Sequence, residues 1–565
     1  MSKRSLRAWF LKRDLVSVAA AFVGLIFGSW FLGPRNILPW NTDWLNRGDL
    51  AALQFSWEFF RQTPLIQWPL TAVPNYGVSF QNSLSFNTLV ELPLKILRPI
   101  LPLTFQYLGL WTVGCFVLQG YFGGKLLSLF LADKLQRFLA ALIFVFSPAL
   151  LFHIGVAEHL GLGVHGLILW AMYLYFRKRQ SHVAWSTLIA IVLMTTPYIS
   201  VMVIFIYLAA VGKTLLTDRD TRRIREVARL VFLPSLVGVL TFVVVGYLEY
   251  GDSAKGSGFF RLNAAAFFNP GFSAQDSFSF FLNRFGSLHT RQLLAEEGEG
   301  FQYLGLGTIL TIPLLVVYMV RLRSATWWRT VVPLLSVCVF LFLVAMSNRI
   351  VLARHEFSYW LPGSILDLRY VFRAATRFSW PLYYLLTLAG VVAVVRLVRG
   401  VRIATILMLI VVSAHILDQL PGVIYAHRHL SASIPYRSPF VDPEWSDLAK
   451  THTKINLFPN YDLNSGEGPP GSELWNGIWF HFARLAVGNR LSTNFALTGR
   501  PVTKYVESDN AKMTRELTSG NLEPGAIYVL SNVKTWSAAR RHLRDGSRAL
   551  VLDGYYVILG PPISD

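Results

Sequence analysis

Two aspartates stand early in this chain, Asp43 and Asp49, within the run Asn41-Thr42-Asp43-Trp44-Leu45-Asn46-Arg47-Gly48-Asp49-Leu50. An apolar stretch from Leu15 to Leu32 comes just before them. A carboxylate held beside a membrane can take a proton from a hydroxyl as a general base. Downstream, Leu53, Trp57 and Phe60 are spaced i, i+4 and i+7. That spacing predicts a helix with one apolar stripe, lying on the membrane interface. Gly48 and Asp49 open it. An acid in a first helical turn also suits the positive end of the helix dipole, so Asp49 has a structural reading beside the catalytic one.

A second group is His153, Glu158 and His159, with His165 further along. Imidazoles and a carboxylate at one membrane boundary suit a divalent cation or a phosphate. Their spacing matches no established metal motif, so no metal site is assigned; capping of two helices is the alternative. His165, deeper, predicts a partner or a cavity, as ionisable side chains at that depth generally face one. A third group is cationic. Arg369, Arg373 and Arg377 lie four apart with aromatic residues between them, and His289 and Arg291 precede them in another loop. A guanidinium fork fits a phosphate; snorkelling to lipid headgroups is the alternative.

The elements that must position these groups are apolar helices. Hydrophobic residues make up 53% of the 565 and charged residues only 15%, too few charges for a soluble chain of this length. Eleven apolar spans are expected, at 15–33, 104–124, 136–153, 159–176, 183–197, 199–216, 229–248, 303–320, 330–346, 379–395 and 403–420. Pro197 ends the fifth early, which predicts a broken hairpin with the sixth. The first is too long for a cleavable signal, and no small-residue cleavage site follows it.

Lys and Arg fix the expected orientation. With the N-terminus cytoplasmic, the inner segments hold 23 Lys and Arg against five Asp and Glu, which accounts for +18 of the chain's +20. The basic balance is therefore a topology signal and gives no support to nucleic-acid binding. The two cysteines, Cys115 and Cys338, fall inside apolar spans, so no disulfide is expected. Outer segments are expected at 34–103, 249–302, 347–378 and from 421 to the end. The last, 421–565, reads as a small α/β domain. Its expected strands are 454–459, 526–531 and 549–559, and its expected helices 474–487 and 534–544.

Taken together, these pieces resemble the GT-C class of membrane glycosyltransferases, and more closely an uncharacterised bacterial family with that fold. The matching pieces are Arg47-Gly48-Asp49, Trp68-Pro69, Tyr76-Gly77, His159 with His165, and Thr196-Pro197-Tyr198. Two longer ones follow: Gly300-Phe301-Gln302-Tyr303-Leu304-Gly305-Leu306-Gly307, and Phe372-Arg373-Ala374 through Arg377-Phe378-Ser379-Trp380-Pro381. The resemblance spans roughly residues 10–420. It implies a mainly α polytopic bundle, 1–420, with the extracytoplasmic domain at 421–565.

The resemblance also implies transfer of a sugar from a polyprenyl-phosphate donor to a glycan or lipid acceptor, at the outer face of a bacterial inner membrane. By position, Asp49 is the acid, with Asp43 beside it. Arg373 and Arg377 are candidates for the phosphate, with Arg369, His289 and Arg291 near. His153, Glu158, His159, Tyr198 and Tyr303 are the expected acceptor or cavity residues. No cofactor is assigned; a divalent cation is left open. The chain departs from the pattern in having no paired Asp-x-Asp, in Asn87 where relatives often carry a second acid, and in Thr196 where His is common. A polar-lipid or glycan flippase, or a non-catalytic scaffold for envelope assembly, is the competing expectation.

Overall fold

The computed structural model describes residues 14–77, 87–102, 104–217, 222–248, 262–272, 276–284, 298–321, 325–352, 355–362, 372, 374–463, 466, 468–497 and 503–563. The protein is mainly helical, and the chain divides into two compact units. One comprises residues 1–41, 106–239 and 256–432. The other comprises 42–105, 240–255 and 433–565.

The first unit is a helical bundle. Among the described residues it carries an apolar helix for each of the eleven expected spans. Among the described residues, seven helices are long and apolar enough to cross a membrane, and Leu160–Phe176, His182–Leu193 and Leu306–Arg321 are shorter apolar pieces. This makes a multi-pass membrane protein. Leu15–Leu32 packs closely against Leu108–Leu127. A Cβ on Gly24 would fall 2.3 Å from the Phe116 carbonyl oxygen, and one on Gly120 would fall 2.3 Å from that of Ala20. Small residues replace the missing hydrophobic drive between helices in lipid by letting backbones touch.

Two breaks in the helices fall next to prolines; the one at Pro197 was expected, whereas span 136–153 was expected to be continuous. The helix Lys134–Val145 stops and restarts at Pro148, which opens Pro148–Gly155. The helix His182–Leu193 ends before Pro197, which opens Pro197–Thr217. Between Gly155 and Gly166 the backbone is a short loop with a single 3-10 turn, Leu160–Leu162.

At one end of the bundle the basic residues gather. Asp14 caps its helix by accepting from Ser17 and pairs with Arg137 at 2.5 Å and Lys125 at 3.7 Å. Lys213 donates to the Tyr175 carbonyl and Arg396 to that of Phe130.

The second unit is built on a five-stranded sheet. A separate two-stranded hairpin, β1 (Arg349–Leu352) and β2 (His355–Ser358), belongs to the first unit. The sheet comprises β3 (Lys454–Phe458), β4 (Ser492–Thr493), β5 (Ala526–Leu530), β6 (Arg548–Leu552) and β7 (Tyr555–Leu559), in the order β4-β3-β5-β7-β6. β3 runs parallel to β4 and β5, while β7 is antiparallel to β5 and β6. The expected single strand 549–559 is in fact the β6–β7 hairpin. Asp553 and Gly554, both at positive φ, make its two-residue turn. The polar helix Thr503–Ser519 and the helix Glu444–Thr451 were not expected from the apolar pattern.

The early loop folds into this unit. Asn75 and Gly77 exchange backbone bonds with Thr493, extending the sheet beyond β4. Gly77 is at φ +70, and a Cβ there would lie 2.2 Å from the Phe495 carbonyl carbon, so only glycine fits. The helix Gly48–Phe60 exists as expected, but its stripe does not face lipid. Leu53, Trp57 and Phe60 are buried. Trp57 donates to the Phe105 carbonyl, and Phe55 packs edge-on against Trp479. An interfacial helix gains by burying its stripe in lipid; here protein covers it instead.

Candidate functional site

In the bundle, side chains from five segments meet at one end. His153 lies near the end of Pro148–Gly155. His159 and His165 flank the 3-10 turn, and Tyr198 opens Pro197–Thr217. Glu299 sits on the turn Gly298–Gly300, just before Leu306–Arg321, and Arg377 on the turn Ala375–Ser379, before Trp380–Leu397. Helices alternate in direction, so these termini share one end of the bundle. The basic cluster of Asp14, Lys125 and Arg137 is at the other.

Glu299 organises the group. Its Oε2 accepts from Arg377 Nη2 at 2.5 Å and Nε at 3.2 Å, a two-pronged pair. Its Oε1 lies 3.4 Å from Nε2 of His159. Its backbone carbonyl accepts from the Thr376 hydroxyl at 3.0 Å. Arg377 is only 8% exposed, and its guanidinium lies 4.6 Å over the Tyr198 ring. Tyr198 in turn accepts from the Ala374 amide and packs against Phe372 and Phe378.

His153 is wholly buried, and neither of its ring nitrogens meets a hydrogen-bond partner among the described residues. It lies edge-on to Trp380 at 5.0 Å and 6.0 Å from the His159 ring. His165 faces Trp380 from another side, and its Nδ1 is 2.7 Å from the Tyr384 hydroxyl. That hydroxyl also accepts from the Gln119 amide. Ligand atoms of His153, His159 and Glu299 all lie within 4.8 Å of one another. The depth expected of His165 from sequence thus has its partner.

Other expected residues go elsewhere. Glu158, at positive φ, turns from His153 and lies 3.0 Å from His429. His429 lines a groove of about 680 Å³ with Phe272, Asp276, Tyr425 and Arg428. Tyr303 is fully buried and donates to Asp418 at 2.7 Å; Asp418 also accepts from the Ser279 hydroxyl and the Phe281 amide. A buried acid in a spanning helix is thereby held by three donors. Arg369, Arg373, His289 and Arg291 lie outside the described residues. No role was expected of Glu299 from sequence; its place just before a span was the available signal.

In the second unit, Asp49 is exposed in the first turn of Gly48–Phe60, and Asp43 is half-buried at the start of the turn Asp43–Leu45. The Asp43 carbonyl accepts from the Ile434 amide. Asn87, where a second acid was sought, is buried, and both its amide atoms lack hydrogen-bond partners among the described residues. Glu58 accepts from Gln54 at 2.5 Å. Burial raises its carboxyl above the ordinary range, opposed by Gln54 and by the charges of Arg484 and Arg61.

Residues 21–419 match the profile of a domain of unknown function, DUF6311, and residues 444–560 match the DUF6311 C-terminal domain. No curated protein matches the chain. Among solved structures, the chain is similar to the cryo-EM structure of the arabinofuranosyltransferase AftD from Mycobacteria, at 13% identity and a TM-score of 0.48. The similarity covers 97% of this chain and 40% of that one, so this chain spans two fifths of its length.

Proposed function

We propose a function for this chain, which belongs to the DUF6311 family: a membrane glycosyltransferase that moves a sugar from a polyprenyl-phosphate donor to a glycan or lipid acceptor. The observation that carries this reading is Arg377. A nearly buried guanidinium is held by Glu299 at the bundle end opposite the basic cluster, with aromatic rings around it. By the positive-inside rule that end is the outer face, and a bacterial inner membrane is the matching setting.

The donor's phosphate takes the guanidinium, and its hydrocarbon tail lies against the apolar helices. The anomeric carbon–oxygen bond breaks, and its electron pair goes to the phosphate oxygen. Arg377 neutralises the charge that develops there. The acceptor hydroxyl oxygen forms the new bond to the anomeric carbon, and its proton goes to a carboxylate. Asp49, exposed at the start of its helix, is the proposed carboxylate that serves an acceptor hydroxyl. The groove lined by Tyr425, Phe272, Asp276 and Arg428 offers ring faces and charged hydrogen-bonding groups of the kind that hold a sugar.

The test is turnover. Purified chain in lipid nanodiscs is given radiolabelled polyprenyl-phosphate sugars, pentosyl and hexosyl, with a cell-envelope glycan fraction. Release of polyprenyl phosphate with label in the glycan supports the reading. Failure of every donor with well-folded protein, or equal transfer by wild type and Arg377→Ala, overturns it.

A further inference from the structure

We propose that His153, His159 and Glu299 form a binding site for a first-row divalent metal ion of the zinc type. Two imidazoles and one carboxylate are the donor set such ions prefer, whereas calcium and magnesium favour all-oxygen sets. The three ligand atoms already lie within 4.8 Å of one another, so about an ångström of side-chain movement closes them on a tetrahedral ion.

Three observations select a metal over a structural cluster. First, His153 is fully buried with both ring nitrogens unpartnered among the described residues. Burying an imidazole in this way costs free energy that a ligand bond recovers. Second, the two oxygens of Glu299 are divided. Oε2 is engaged by Arg377, while Oε1 points to His159 at 3.4 Å. The carboxylate can therefore take a metal through Oε1 without losing Arg377, which then fixes the ligand's orientation from behind. Third, the sides of the site differ. His153 is sealed against Trp380, but the His159 and Glu299 side chains keep 16% and 19% exposure. The site is thus reached from the His159 and Glu299 side.

Metal binding is measured without turnover, so it stands or falls apart from the transferase reading. If that reading also holds, a metal here would lie beside the guanidinium of Arg377 that the reading assigns to the phosphate. The experiment uses full-length protein freed of any polyhistidine tag, stripped with chelator in detergent, and titrated with Zn²⁺ and Mn²⁺, with Ca²⁺ as the comparison. Elemental mass spectrometry and calorimetry give stoichiometry and affinity, and thermal unfolding gives stabilisation.

We expect one Zn²⁺ per chain. Affinity should fall at least about tenfold in His153→Gln and in His159→Gln, and stay unchanged in His355→Gln, an exposed histidine on β2. Because Glu299→Gln also disturbs Arg377, and a His153 variant can misfold, the partly exposed His159 decides if either fails to fold. No Zn²⁺ retained by wild type overturns the proposal. So does equal Zn²⁺ in wild type and the His153→Gln/His159→Gln double variant, or stabilisation by inorganic phosphate with none by Zn²⁺.

Discussion

Arg377 and Glu299 are joined by two hydrogen bonds, from Nη2 at 2.5 Å and Nε at 3.2 Å, both onto the same carboxylate oxygen. The pair links the turn before one spanning helix to the turn before another, 78 residues apart in sequence. A lysine ammonium is a point charge and cannot make this fork. Arg377→Lys should therefore keep the fold while transfer falls by about a hundredfold, as when one charge-stabilising donor is lost. Arg377→Gln should cost about 3 kcal/mol of stability as well, since Glu299 loses its two-pronged charged donor. Initial rates and thermal unfolding check both.

Asp49 is exposed in a first helical turn, where its charge adds at most about 1 kcal/mol through the helix dipole. Asp49→Asn should leave the unfolding temperature within a few degrees of wild type and abolish transfer. Undiminished transfer removes Asp49 from the chemistry and leaves it as a helix-terminal acid.

Tyr303 was an expected cavity residue, yet its hydroxyl is committed to Asp418. Tyr303→Phe should destabilise the bundle by about 1–2 kcal/mol, because one donor to a buried carboxylate is lost. Transfer rates per folded molecule should not change. A large rate loss at unchanged stability would return Tyr303 to the site.

Lys95 carries a pH dependence. Burial lowers its ammonium to about 8 from an ordinary 10.5; Arg98 pushes the same way and Glu91 opposes. Between those values the unfolded chain holds a proton that the folded one has released. Stability from this group therefore rises with pH from about 8 to 10.5. Its ammonium donates to the Thr63 hydroxyl and lies over the Phe60 ring, so Lys95→Met costs those contacts at low pH. Denaturant unfolding at pH 8 and pH 10 should show the upward slope in wild type and its loss in Lys95→Met.

Apolar length and loop charge were enough to lay out the bundle. The runs from Leu15 onward are too long and too uncharged for anything but spans, and the arginines and lysines mark one set of ends. Proline placed the break at Pro197, because ring geometry acts locally, whereas the break before Pro148 was not read and 136–153 was expected as one span. The hairpin turn at Asp553-Gly554 was missed, because the apolar run on either side of it reads as one strand, although Asp-Gly is a turn signal. The helix Thr503–Ser519 was hidden because few apolar residues mark its buried face: Val506, Met513 and Leu517.

What remained for the tertiary structure was partnership. Periodicity shows that Leu53, Trp57 and Phe60 share an apolar face, but it carries no information on whether lipid or protein covers that face. Likewise, the spacing of His153, Glu158 and His159 matched no metal motif, because the third member of the cluster, Glu299, comes from a loop some 140 residues away. Glu158, the nearer acid, turns to His429 instead. Side chains from separate spans meet only where the ends of packed helices coincide, and that is set by how backbones approach, down to the glycines that let them touch.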